Sequence, residues 1–196
     1  GEGGIHPMTQ EFAAKARELA DRHNALLVFD EIQCGVGRAG THFAYQLGEP
    51  VILPDIMVAA KPLACGIALG VLVANQRAAE TIGPGMHGST YGGGPLACRV
   101  ALAFLERLDE LLPHIRNMGN YSRMRLNELA HHLGFVKEIR GKGLMIGMEL
   151  TIPGKQIVLD ALEAGLLINC THDTVLRFLP PYIITERQVD QAISKL

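Results

Sequence analysis

The stretch Leu26–Arg38, LLVFDEIQCGVGR, constrains the fold more than any other. Its four consecutive apolar residues, Leu26, Leu27, Val28 and Phe29, fit a strand covered on both faces. The run ends in two carboxylates, Asp30 and Glu31, and a Gly-rich turn, GVGRAG (Gly35–Gly40), follows. A buried strand that delivers an acid to its carboxyl end places charge where α/β sheets bind ligands. Such a charge is costly unless a cation meets it. Upstream, Phe12, Ala13, Ala16, Leu19 and Ala20 recur at helical spacing, and Pro7 and Thr9 suit the helix start. Residues 8–29 therefore form a helix-to-strand unit of α/β type.

The same pattern continues. Ile56–Ala60 and Gly70–Ala74 read as short strands, Gln76–Ile82 as a short helix, and Gly83–Gly94 (GPGMHGSTYGGG) as a long loop. Pro95–Leu112 carries an apolar stripe through Leu96, Val100, Leu102, Ala103, Leu105, Leu108 and Leu112. Pro113 is expected to interrupt this helix and open another that runs to about His132. A domain boundary is expected there, giving residues 1–112 and 113–196. Beyond it, Val136–Arg140, Leu144–Leu150, Leu166–Asn169 and Thr174–Leu179 read as strands. Lys155–Ala164 and Thr185–Leu196 read as helices, with Thr185 as a cap. This part is a small α+β domain with an antiparallel sheet.

Hydrophobic residues make up 48% of the 196, enough for a core and against disorder. The net charge of −2 comes with no basic block, which argues against nucleic acid as a partner. No apolar run is long enough to span a bilayer. Cys34, Cys65, Cys98 and Cys170 show no CxxC spacing and read as reduced residues of a cytoplasmic protein. The eight histidines form no HxxxH or His/Cys cluster, so no metal site is expected. The opening GEGG, without an initiator methionine, points to a piece of a longer polypeptide.

Asp30 and Lys61 each follow an apolar strand and precede a turn. If both strands lie in one parallel sheet, both side chains emerge at the same carboxyl edge. A lysine in an apolar, partly closed site gives up its proton more readily and attacks carbonyl groups. A carboxylate nearby can hold a protonated pyridine nitrogen. Pyridoxal phosphate needs this pair. Taken singly, Lys61 also fits a surface lysine at a strand end, and Asp30-Glu31 a helix cap or solvated loop. Gly88-Ser-Thr-Tyr-Gly-Gly93 sets hydroxyls and free backbone N–H groups directly before a helix, which suits a phosphate.

In chain order, DEIQxGxGR (Asp30–Arg38), AAKPL (Ala59–Leu63), HGSTYGG (His87–Gly93) with PLAC (Pro95–Cys98), RGKGLMIGMEL (Arg140–Leu150) and LRFLPP (Leu176–Pro181) resemble the class III, fold-type I pyridoxal phosphate aminotransferases. The similarity covers essentially the whole chain. It implies part of the large domain, a mostly parallel sheet with flanking helices, followed by the small C-terminal domain. Lys61 corresponds to the lysine that carries the cofactor as a Schiff base and afterwards moves the proton between the substrate carbon and C4′. Asp30 corresponds to the acid that keeps the pyridine nitrogen protonated, and Gln33 to the residue that hydrogen-bonds the phenolic oxygen. Thr90, with Ser89 beside it, corresponds to the phosphate contact supplied across a homodimer interface to the partner's cofactor.

Arg177 resembles the arginine that pairs with a glutamate near the substrate, here Glu2, and releases it when a dicarboxylate arrives. An arginine fork suits that exchange. The run GLLINC (Gly165–Cys170) resembles members that pass the δ-amino group of N2-acetylornithine to 2-oxoglutarate in arginine biosynthesis. Ornithine, succinylornithine and 4-aminobutyrate are the alternative donors. Two departures stand out: Ala64-Cys65-Gly66-Ile67-Ala68 replaces the usual Gly-rich run after the lysine, and Gly94 stands where Asn is common. The family's upstream half carries another phosphate loop, a ring stacked on the cofactor and a substrate arginine. Without them these residues should bind cofactor poorly, and a non-catalytic fragment is the other alternative.

GVGRAG is literally GxGxxG, which raises a dinucleotide site. That fingerprint starts at the strand end and enters a helix, whereas five residues separate Phe29 from Gly35 here. A dinucleotide site is therefore not favoured.

Overall fold

A computed structural model describes residues 1–196. The chain divides into two compact units, one of Met8–Gly37 with Thr41–Asp109, the other of Gly1–Pro7 and Arg38–Gly40 with Glu110–Leu196.

In the first unit, helix α1 (Gln10–Arg22) starts at Thr9, whose hydroxyl accepts from Phe12 N–H. Strands β1 (Val28–Asp30), β2 (Ile56–Ala59) and β3 (Val71–Ala74) form one sheet in that order. β1 and β2 are parallel, and β3 runs antiparallel to β2. Helix α2 (Gln76–Ala79) follows, capped by Asn75. The double-sided burial expected of the first strand is absent within these residues: Val28 is 52% exposed and Leu72 on β3 is 55% exposed. Met57 and Ala59 of β2 are buried, while Val71, Leu72 and Val73 of β3 are exposed.

The fastening of this unit is polar. Asp55, buried at the start of β2, accepts from Leu27 N–H, Arg17 Nη1 and Asn75 Nδ2 at 2.7–2.8 Å. One carboxylate thus ties α1, β1, β2 and the entry to α2. The Leu27 amide and then the Arg17 guanidinium hold its pKa down to about 2. Because the folded value lies below the ordinary carboxylate value of about 3.9, its stabilisation is complete above about pH 4 and is lost as pH falls toward 2. Asp55→Ala should lower the free energy of unfolding by about 3 kcal/mol and weaken the acid limb over that range. An unchanged urea titration would contradict this.

Helix α3 (Pro95–Ala130) runs unbroken for 36 residues with Pro113 inside, where two helices were expected. Proline removes one intrahelical bond and crowds the preceding turn. Apolar packing on both sides offsets that cost: Leu108, Leu112, Ile115 and Met118 are all buried. No helix is long and apolar enough to cross a membrane.

In the second unit, β4 (Val136–Lys142), β5 (Met145–Leu150), β6 (Asn169–Thr171) and β7 (Val175–Phe178) form an antiparallel sheet, ordered β4-β5-β7-β6. Helix α4 (Lys155–Glu163) precedes β6, and α5 (Glu186–Ile193) closes the chain behind a Thr185–Gln188 capping box. Leu126, Ile146, Met148, Leu150 and Leu176 form the core. Gly143 has a steric reason to be glycine. A Cβ there would lie 2.5 Å from the Ala39 carbonyl carbon and 2.6 Å from Arg38 O.

Candidate active site

The parallel pairing of β1 and β2 sets the geometry of the first unit's site. The register places Asp30 opposite Val58. Lys61 follows that partner by three residues, just past the end of β2. Asp30 and Lys61 therefore leave adjacent parallel strands at one carboxyl edge. Both are exposed. The Asp30 carboxylate accepts from Ile32 N–H at 3.0 Å, which fixes the start of the turn. Gln33 lies in that turn, half-buried. Lys61 sits in a turn closed by Leu63 N–H donating to Ala60 O. Ser89 and Thr90 lie in the exposed loop between α2 and α3, where Ser89 Oγ accepts from Gly92 N–H at 2.9 Å.

The buried acid of the Asp30-Glu31 pair is Glu31, 3% exposed. It accepts from Ala44 N–H at 2.9 Å, Tyr45 N–H at 2.8 Å and the Cys34 thiol at 3.2 Å. Burial first, then the charge of Glu31, pushes the Cys34 thiol up to about 12. The thiol stays protonated and serves as a donor. The sequence reading gave the ring-nitrogen role to Asp30 and assigned none to Glu31. The dipeptide gave one signal that was missed: neighbours on a strand point to opposite faces, so only one can face the solvent edge. The GVGRAG segment forms turns and no helix starts there; a short 3-10 turn (Ala44–Leu47) comes next. A dinucleotide's phosphates would find no helix N-terminus at this place.

In the second unit, Glu2 and Arg177 form an ion pair, with Oε1 and Nη1 2.5 Å apart. Glu2 is carried by a turn, Gly1–His6, that is fastened to the sheet. Arg140 donates through Nε to Gly4 O at 2.9 Å and to Ile5 O at 3.1 Å, and through Nη2 to Gly4 O at 2.6 Å. Its Nη1 meets Glu138 and Glu149. Lys137 and Arg140 together hold the Glu149 carboxyl down to about 2. Neither Arg140 nor Glu31 was singled out as a site-shaping residue from sequence. Arg140 is a long-range tether with no local spacing to reveal it.

The sequence matches the family described as aminotransferase class-III over residues 1–196. It is 44% identical to the acetylornithine aminotransferase of Aquifex aeolicus, covering 100% of this chain and 50% of that protein. Among solved structures it is similar to the N-acetylornithine aminotransferase of Stenotrophomonas maltophilia, at TM-score 0.89 and 35% identity, over 100% of this chain and 52% of that one. It is also similar to the ornithine aminotransferase of Toxoplasma gondii, crystallized in the presence of oxidized glutathione and showing partial occupancy of PLP at its active site. That match has TM-score 0.89 and 33% identity, over 100% of this chain and 47% of that one. The chain spans about half the length of the curated relatives it matches.

Proposed function

The chain belongs to the class-III aminotransferases, and from that premise we propose that it supplies the lysine, the ring-nitrogen acid and the carboxylate switch of a pyridoxal phosphate transaminase. The observation that carries this is the parallel register that brings Asp30 and Lys61 to one sheet edge. The residues fit the group: an amine, a carboxylate and, in the loop before α3, two hydroxyls among glycine amides. When bound, pyridoxal phosphate supplies an aldehyde that takes up an amino group and a ring that accepts electrons. Lys61 would hold the aldehyde carbon through its Nζ and, once displaced by the incoming amine, would carry a proton on that atom. Asp30 keeps a proton on the ring nitrogen. Gln33 donates to the phenolic oxygen. Ser89 and Thr90 hold phosphate oxygens, with Thr90 serving the cofactor of the other subunit in a homodimer.

Glu2 neutralises Arg177 while the amino donor is bound. A dicarboxylate acceptor displaces Glu2 and takes the arginine fork itself. The donor is N2-acetylornithine, the acceptor 2-oxoglutarate, the setting cytoplasmic arginine biosynthesis. Residues 1–112 then belong to the cofactor domain and residues 113–196 to the small domain. The acetylornithine names of the curated relatives support this donor. Ornithine is the competing donor, favoured by the likeness to ornithine aminotransferases. Full-length protein given 2-oxoglutarate should show ping-pong kinetics and a kcat/KM for N2-acetylornithine at least about tenfold above that for ornithine, the discrimination one recognised polar group supplies. A preference for ornithine would overturn the choice of donor.

A further inference from the structure

Resting on the carboxylate switch proposed above, we infer that one face of β6 positions both halves of that switch, with Asn169 orienting Arg177 and Thr171 holding Glu2. β6 and β7 pair Asn169 directly with Arg177. Residues opposite each other on paired strands project to the same face. Arg177 Nε donates to Asn169 Oδ1 at 3.1 Å. Thr171, two residues on and so on the same face, donates through its hydroxyl to Glu2 O at 2.5 Å. Asn169 thus fixes the plane of the guanidinium through its ε nitrogen. Its Nη1 meets the Glu2 carboxylate.

The chemistry of each holder suits a switch. A guanidinium has five N–H donors in a rigid plane, and one bond at Nε sets the direction of the rest. Asn169 is neutral, so it orients Arg177 without competing for its charge. An aspartate would do both. Thr171 holds Glu2 by its backbone carbonyl and not by its carboxylate. Exposure differs accordingly: the Arg177 side chain is 12% exposed and the Glu2 side chain 72%. The arginine is the fixed member and the glutamate the one that leaves. Asn169 is a positioning residue and touches no reacting atom.

The test uses full-length holoenzyme and three variants. In a ping-pong enzyme, kcat/KM for each substrate reports its own half-reaction. Asn169→Leu should lower kcat/KM for 2-oxoglutarate about tenfold, the effect of one hydrogen bond to a charged group. It should leave kcat/KM for the amino donor within about twofold. Glutarate, titrated calorimetrically as an unreactive dicarboxylate, should bind about tenfold more weakly. Asn169→Asp keeps the acceptor and the fold but adds a competing charge, and it should weaken glutarate as well. Equal losses in both half-reactions, or Asn169→Asp behaving as wild type, would overturn the inference. Arg177→Gln is the control. If it leaves glutarate binding unchanged, the carboxylate switch itself is wrong and the role of Asn169 falls with it. If it weakens glutarate while both Asn169 variants do not, only the role of Asn169 is overturned.

Discussion

Replacing Lys61 with alanine in the full-length protein is expected to lower kcat for amino transfer by about 10,000-fold, because one amine acts as both nucleophile and proton carrier. The fold should survive. Lys61 is exposed in a turn whose closing hydrogen bond is between backbone groups of Leu63 and Ala60. The loss would therefore report chemistry and not unfolding. Lys61→Arg should be equally inactive. Arginine keeps the charge, but its guanidinium stays protonated and does not attack an aldehyde. A lysine that served only as a surface cation would be replaced by arginine with little effect. Turnover by Lys61→Arg within about tenfold of wild type would therefore favour that plainer role.

The second large effect is expected at Asp30. Asp30→Asn keeps the oxygen that accepts from Ile32 N–H, so the turn after β1 is preserved. What it removes is the negative charge. A neutral amide does not hold a proton on a pyridine nitrogen, and kcat should fall by about 100- to 1,000-fold, as when a transition-state charge partner is lost. Lys61 should still carry the cofactor in this variant. The pair of results separates the two roles: attachment at Lys61, activation at Asp30. Near-normal turnover by Asp30→Asn would refute the ring-nitrogen role. Glu31 is not a substitute, since its carboxylate is turned inward onto Ala44 and Tyr45.

Short-range signals were legible in the sequence. Thr9 and Thr185 cap helices because each precedes an apolar periodic run. The strand cores at Ile56–Ala59 and Val71–Ala74, and the antiparallel sheet of the C-terminal unit, follow from short apolar runs between turn residues. The pairing of Glu2 with Arg177 was reached through resemblance alone, since 175 residues separate the two. Pro113 misled, because the rule that proline ends helices weighs local cost only, whereas buried Leu112 and Ile115 fix the helix on both sides. Burial of Leu26–Phe29 was misread for a different reason. Apolar composition records what a face is suited to cover, and in these residues Val28 has little against it. The tethers Asp55 and Arg140 were invisible because a buried charge is recognised by its partners. Those partners are separated by up to 136 residues.

The most direct measurement is borohydride reduction of the full-length protein, followed by proteolysis and mapping of the modified peptide. Reduction fixes the cofactor to the amine that carries it. The phosphopyridoxyl group is expected on Lys61, in the peptide that joins β2 to the turn before Leu63. Label on any other lysine, or a protein that takes none, would contradict the account.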